Sequence, residues 1–205
     1  MRGGADTSDL ERASLANGGG EEGDSEATAQ PQSSGVFEIF AKHSRKCLDV
    51  LGWGREDLTG LIQYGCHNGD NQKFRVTPLG DGSFSIVAVH SGKCLDVLGW
   101  SRDDGAALVQ YTCHGGDNQK FRLVAAGEGA LNIVAVHSGK CLDVYGWDTA
   151  DLARITQYAC HGGPNQAFSF NDRDCPRASP FHPNACTAPP EPRDPCAVLG
   201  APGCP

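Results

Sequence analysis

The chain has no stripe of lysine and arginine, no long apolar run and no stretch of sustained helical periodicity. Lys and Arg number 17 against 25 Asp and Glu, for a net charge of −8. Without a basic face, a polyanionic partner such as nucleic acid or an anionic membrane surface is excluded. No apolar segment approaches the roughly 20 residues a membrane-spanning helix needs. Cysteines three residues apart are absent, which removes the usual zinc-site spacing. The stretch Arg102-Asp103-Asp104-Gly105 lacks the alternating acidic pattern of a calcium loop. Neither Gly-x-Ser-x-Gly nor His-Glu-x-x-His occurs, so the common signatures of nucleophilic and zinc hydrolases are missing. No cofactor is implied.

What is present is one sentence written three times. Residues 43–53 read HSRKCLDVLGW, 90–100 HSGKCLDVLGW and 137–147 HSGKCLDVYGW. The second halves keep the same step: QYGCHNGDNQKF at 63–74, QYTCHGGDNQKF at 110–121 and QYACHGGPNQAF at 157–168. The period is 47 residues throughout, from Cys47 to Cys94 to Cys141. A repeat of this length cannot bury its own core and must close against its copies. Three copies predict a closed threefold domain over 36–170, with repeats at about 36–80, 81–127 and 128–170.

Ten cysteines in 205 residues point to an oxidising compartment, hence to a secreted protein. Six of them recur at a constant offset of 19, as Cys47/Cys66, Cys94/Cys113 and Cys141/Cys160, and one intra-repeat disulfide per copy is the simplest pairing. Residues 1–35 are acidic and glycine-rich, carry no basic segment followed by an apolar one, and read as disordered. A start further upstream, a longer parent protein and a non-standard export route all remain open. Residues 171–205 hold nine of the twelve prolines and four cysteines (Cys175, Cys186, Cys196, Cys204), as expected of a linker or a small disulfide-looped tail.

Each repeat offers four short strands. In the second copy they fall at 84–89, 94–97, 108–111 and 121–124. Val87 and Val89 interrupt the alternation of Phe84, Ile86 and Ala88, which predicts a first strand buried on both faces. Asp81-Gly82 and Gly127-Glu128-Gly129 mark hairpins between the copies. The His-Ser-Gly-Lys turns make His43, His90 and His137 turn residues. Twelve short strands in all predict an all-β barrel capped by hairpins.

A polar and aromatic set recurs beyond what a structural repeat requires. Asp49, Asp96 and Asp143 stand two past the first cysteine, and Tyr64, Tyr111 and Tyr158 two before the second. His67, His114 and His161 follow the second cysteine directly, and Asn71, Asn118 and Asn165 stand five past it. A disulfide would hold the Asp-bearing strand beside the Tyr/His strand, gathering the four side chains into one shallow pocket per copy.

The CLDV segment, the aromatic-x-Cys and the Asn-Gln-x-aromatic triplet together resemble the ricin-B-type lectin repeat. The junction of Cys and His, with the Tyr, is similar to bacterial carbohydrate-binding modules of family 13. The resemblance covers 36–170 and neither flank. It departs from the family's Gln-x-Trp by carrying Phe74, Phe121 and Phe168. It implies a β-trefoil and non-catalytic binding of galactose- or xylose-type glycans or polysaccharide. It also implies a covalently linked glycan-degrading domain as a partner.

In that reading the three Asp accept hydrogen bonds from neighbouring sugar hydroxyls. The three Tyr stack on the C–H face of the ring, the Asn amides donate and accept, and the His add a bond at the rim. Gln72, Gln119 and Gln166 serve as pocket support, and Trp53, Trp100 and Trp147 either cover the loop between strands or extend the sugar platform. Pro164 and Ala167, where the other copies have Asp and Lys, imply weaker binding in the third.

A glycoside hydrolase needs two carboxylates flanking one bond, whereas each copy repeats a single Asp. A trefoil that is only a scaffold for a protein partner predicts pocket residues that differ between copies, and these do not.

Overall fold

The computed structural model describes residues 34–171. The predicted flanking segments at 1–35 and 171–205, with their four cysteines, lie almost wholly outside that range. Twelve strands run in order: β1 (Gly35–Ala41), β2 (Cys47–Val50), β3 (Leu61–Tyr64), β4 (Lys73–Pro78), β5 (Phe84–Ala88), β6 (Cys94–Val97), β7 (Leu108–Tyr111), β8 (Phe121–Ala125), β9 (Leu131–Ala135), β10 (Cys141–Val144), β11 (Ile155–Tyr158) and β12 (Phe168–Asn171). Six single turns of 3-10 helix interrupt them, and the described residues contain no α-helix.

Strands β1, β4, β5, β8, β9 and β12 pair in a closed antiparallel ring, β12 returning to β1 through Glu38–Asn171 to Ala41–Phe168. The hairpins β2–β3, β6–β7 and β10–β11 cap one end of this barrel. They share one register, in which Cys47 faces Tyr64, Cys94 faces Tyr111 and Cys141 faces Tyr158. This is a β-trefoil, the fold the resemblance implied.

Alternation explains the core. Leu48 and Val50, Leu95 and Val97, and Leu142 and Val144 project inward from the cap, and Ile39, Ile86 and Ile133 from the barrel. Phe74, Phe121 and Phe168 are fully buried, so the aromatic of each triplet is a core residue. The first strand of the second copy is one-sided rather than double-faced. Phe84, Ile86 and Ala88 are buried, but Ser85 and Val87 are only half-covered, because no layer packs outside a small barrel.

The repeats are stitched head to tail through the loop after each cap strand. Asp57 accepts from Lys93 Nζ (2.6 Å) and from Thr112 N (2.8 Å). Asp104 accepts from Lys140 Nζ (2.6 Å) and Ala159 N (2.8 Å), and Asp151 from Lys46 Nζ (2.6 Å) and Gly65 N (2.9 Å). The same loops present carbonyls to buried glutamines: Gln110 Nε2 donates to Gly54 O and Glu56 O, with Gln157 and Gln63 doing likewise at the other two seams. His90, His137 and His43 also reach the preceding loop, at Gly54 O, Ser101 O and Asp148 O. They are more than the turn residues their sequence position predicts. They are inter-repeat ties.

Candidate functional site

The cap hairpins of the second and third repeats each carry a pocket. The disulfides Cys47–Cys66, Cys94–Cys113 and Cys141–Cys160 are formed, each with Cα atoms 5.1 Å apart. They fix the Asp strand against the segment bearing Tyr and His, as the spacing predicted. In the second repeat Asp96, Leu98, Trp100, Tyr111, His114 and Asn118 surround a cavity of about 500 Å³, to which the first repeat adds Leu58. In the third, Asp143, Tyr145, Trp147, Tyr158, His161 and Asn165 enclose about 420 Å³. The first repeat brings Asp49, Trp53, Tyr64, His67 and Asn71 together through equivalent contacts.

The carboxylate forms the floor. Asp49, Asp96 and Asp143 are 3–5% exposed, so they are not free side chains standing out towards solvent. The glutamine of the triplet fixes each one. Gln119 Nε2 donates to Asp96 Oδ2 (2.9 Å) and Thr112 O (3.1 Å), while its Oε1 accepts from His114 N (2.8 Å). Gln72 and Gln166 repeat this arrangement. Burial pushes the three carboxyls above the ordinary carboxylate value, and the hydrogen bonds from Gln, His and Asn pull partly back.

The histidines stand beside the carboxylate and are partly exposed. His114 Nδ1 accepts from Gly116 N (3.1 Å), so the ring proton sits on Nε2, which faces Asp96 Oδ2 at 3.4 Å. The ring lies between Trp100, stacked at 6.1 Å and 23°, and the edge of Tyr111 at 6.1 Å. Gly116 permits this closeness: a Cβ there would lie 2.6 Å from Trp100 Cζ2 and 2.8 Å from His114 Cε1. Asn118 is buried, with Nδ2 donating to Val97 O. Its Oδ1, like those of Asn71 and Asn165, has no hydrogen-bond partner among the described residues. Asn is thus tied into the pocket's frame through its amide nitrogen, and Asn118 and Asn165 line the pockets.

Trp53, Trp100 and Trp147 lie against the loop that carries the site histidine and also face the pocket. They are 51–52% exposed, two of them line the pockets above, and all three stack on the site histidine. Their φ angles of 55–59° follow a glycine that is also left-handed. A bulky residue is strained there, and such strain concentrates at ligand sites. The Gly-Trp pair after CLDV was the sequence signal for a second aromatic wall. The third repeat's Pro164 and Ala167 replace an exposed ion pair, Lys73–Asp70 and Lys120–Asp117 in the other copies, outside the pocket lining. The expected weakening of that site therefore has no counterpart in its walls. Among the described residues no group of three or more His, Cys, Asp or Glu is arranged to hold a metal, and no helix is long and apolar enough to cross a membrane.

A model of the ricin-type beta-trefoil lectin domain-like family matches residues 27–111, 80–158 and 117–175. The chain belongs to this family. Among solved structures, this lectin domain is similar to the designed threefold symmetric protein ThreeFoil, with 47% identity, a TM-score of 0.66, and 67% of this chain matching 98% of that one. It is also similar to part of 1,3Gal43A, an exo-beta-1,3-galactanase from Clostridium thermocellum. There the identity is 34%, the TM-score 0.65, and 66% of this chain spans only 30% of the enzyme. The Macrolepiota procera ricin B-like lectin, solved with lactose, shares the fold at 22% identity and a TM-score of 0.61, covering 70% and 99% of the two chains. No curated protein matches the chain.

Proposed function

We propose that the lectin domain binds galactose- or xylose-type glycans, without acting on them, through one pocket per repeat. The observation that carries this reading is a carboxylate fixed by glutamine at the floor of a pocket, with half-exposed Tyr and Trp rings as walls, built three times. A pyranose ring offers both matching chemistries: adjacent hydroxyls that donate to a carboxylate, and an apolar C–H face that lies on an aromatic ring. Asp96 is the one carboxylate in the second pocket's lining and Asp143 in the third's, whereas glycosidic cleavage needs a facing pair.

A shallow site with so few groups holds a single sugar weakly, on the order of millimolar. Retention on a polymer then comes from several sites engaging one surface, a gain of roughly 10²–10⁴. The similarity to a portion of an exo-galactanase supports a module joined to a catalytic partner. The disulfides support a secreted setting.

Calorimetry of the full chain with galactose, lactose and xylose, and a pull-down on insoluble galactan and xylan, test the proposal. Binding is expected for at least one series, with no release of reducing ends. Tyr64→Ala, Tyr111→Ala and Tyr158→Ala together should abolish it while leaving the near-ultraviolet signature of the fold in place. Polymer retention by that triple variant, or no binding to any of these glycans, would place the function elsewhere.

A further inference from the structure

The three pockets differ at one wall, and the wall comes from the neighbouring repeat. The tip of each cap loop carries Asp57-Leu58, Asp104-Gly105 or Asp151-Leu152. The Asp is clasped by the next repeat's lysine and backbone as described above. The following residue donates its N–H across the seam: Leu58 to Gln110 O, Gly105 to Gln157 O and Leu152 to Gln63 O, at 2.8–2.9 Å. All three adopt a left-handed φ, of 69°, 81° and 71°. Glycine is at ease there and leucine is not. The two leucines are nonetheless 56–58% exposed, so core burial does not explain them. Leu58 lines the second pocket, and the equivalent bond puts Leu152 in the same register against the first.

The third pocket has Gly105 at this place and a second substitution to match. Leu51 and Leu98 of the other copies become Tyr145, which lines the pocket and is 47% exposed. A Cβ on Gly105 would find only Tyr145 Cε2 nearby, at 3.8 Å. The guanidinium of Arg154, where the other repeats have Gly60 and Ala107, lies 5.0 Å from the Tyr145 ring centroid and braces it. Two aliphatic walls are thus exchanged for one open edge and one additional aromatic face.

We infer, resting on the glycan-binding reading, that the sites are specialised. The first and second, closed by Leu152 and Leu58, take a single sugar at the end of a chain. The third, open past Gly105, takes two consecutive rings of an oligosaccharide, the second ring lying on Tyr145. An aromatic face satisfies the C–H side of a further sugar, whereas a leucine on the lip occupies the path of the continuing chain.

The test isolates sites in the full chain. Tyr64→Ala with Tyr111→Ala leaves the third site, and Tyr64→Ala with Tyr158→Ala leaves the second. Each is titrated with galactose and a galactotetraose, and with xylose and xylotetraose. The third site should gain about tenfold in affinity from monosaccharide to tetrasaccharide, and the second less than about twofold. Adding Gly105→Leu to the third-site protein should remove the gain and leave monosaccharide binding unchanged, and adding Tyr145→Leu should likewise remove the gain. Gly105→Leu copies a residue already tolerated at the same φ at two equivalent tips, and Tyr145→Leu copies the other repeats, so both variants should fold. Equal gains at the two sites, or a gain that survives both substitutions, would overturn the inference while leaving glycan binding intact. Loss of monosaccharide binding at every site would instead overturn the reading beneath it.

Discussion

Gln119→Ala tests whether the triplet glutamine holds the site together. Gln119 is almost fully buried, and its side chain makes four bonds, three of 2.8–3.1 Å to Asp96 Oδ2, Thr112 O and His114 N and one of 3.3 Å to Gly115 N. A buried hydrogen bond to a charged group contributes about 1.5–3 kcal/mol. The three backbone groups lie near the surface, where water recovers much of their loss, and together they add about 1 kcal/mol. The expected cost is about 3 kcal/mol, or roughly 10 °C in Tm for a domain of this size. Gln119 also holds the Asp96 carboxyl down against the effect of burial, so its removal should raise that pKa further. Binding at the second site should then fail at a higher pH than at the other two. Denaturant titration gives the first quantity, and the pH dependence of calorimetric binding in the site-isolated protein gives the second. A loss below about 1 kcal/mol with an unmoved pH midpoint would refute the role given to glutamine.

Other expectations follow from the same contacts. Burial raises the pKa values of Asp49, Asp96 and Asp143, so glycan binding, which uses their ionised forms, should disappear on acidification at a pH above their ordinary 3.8. These three groups favour the fold in their protonated form, and that contribution is lost as pH rises through their raised values. The clasp aspartates Asp57, Asp104 and Asp151 are shifted down, chiefly by hydrogen bonds from lysine, so their contribution persists until pH falls below 3.8. Circular dichroism should therefore record a folded, non-binding protein in a window at and just above that value. Replacing Cys94 and Cys113 by Ser should cost about 3 kcal/mol in the chain-entropy model, measured by denaturant unfolding, without changing the strand content. Gly116→Ala should displace Trp100 and reduce second-site binding, visible as a change in tryptophan fluorescence and a lower affinity, while Gly115→Asn, which copies Asn68 at the same left-handed position of the first repeat, should spare the site.

Much of the fold was legible because its determinants are local and repeated. The 47-residue step located every hairpin, and the inner strands 94–97 and 108–111 appear at their predicted bounds because CLDV and LVQY are short apolar runs between turn residues. Disulfide pairing was legible from the constant offset. The site was only partly legible, since sequence places residues near one another without saying which way they face. Asp, His, Tyr and Asn do gather, yet Asp and Asn belong to the floor and frame because Gln119 and its equivalents draw the carboxylate inward. Trp100 stayed between two roles, loop cover and sugar platform, because its direction depends on the left-handed Gly99-Trp100 pair, a conformation no apolar pattern encodes. Leu58 escaped notice altogether: it acts 53 residues away on Tyr111, across a seam that only the closed ring creates.

The seams have a rotational sense. Each repeat extends an acidic loop tip forward and receives one behind, so a single repeat carries both halves of the contact on different faces. Contacts of this kind propagate until a rotation closes them, and here the rotation closes after three. The covalent links between repeats are then a convenience of synthesis rather than the source of the symmetry. A peptide of one 47-residue unit, with its disulfide formed, would be expected to assemble as a trimer that regenerates the barrel, each subunit lending its loop tip to the next.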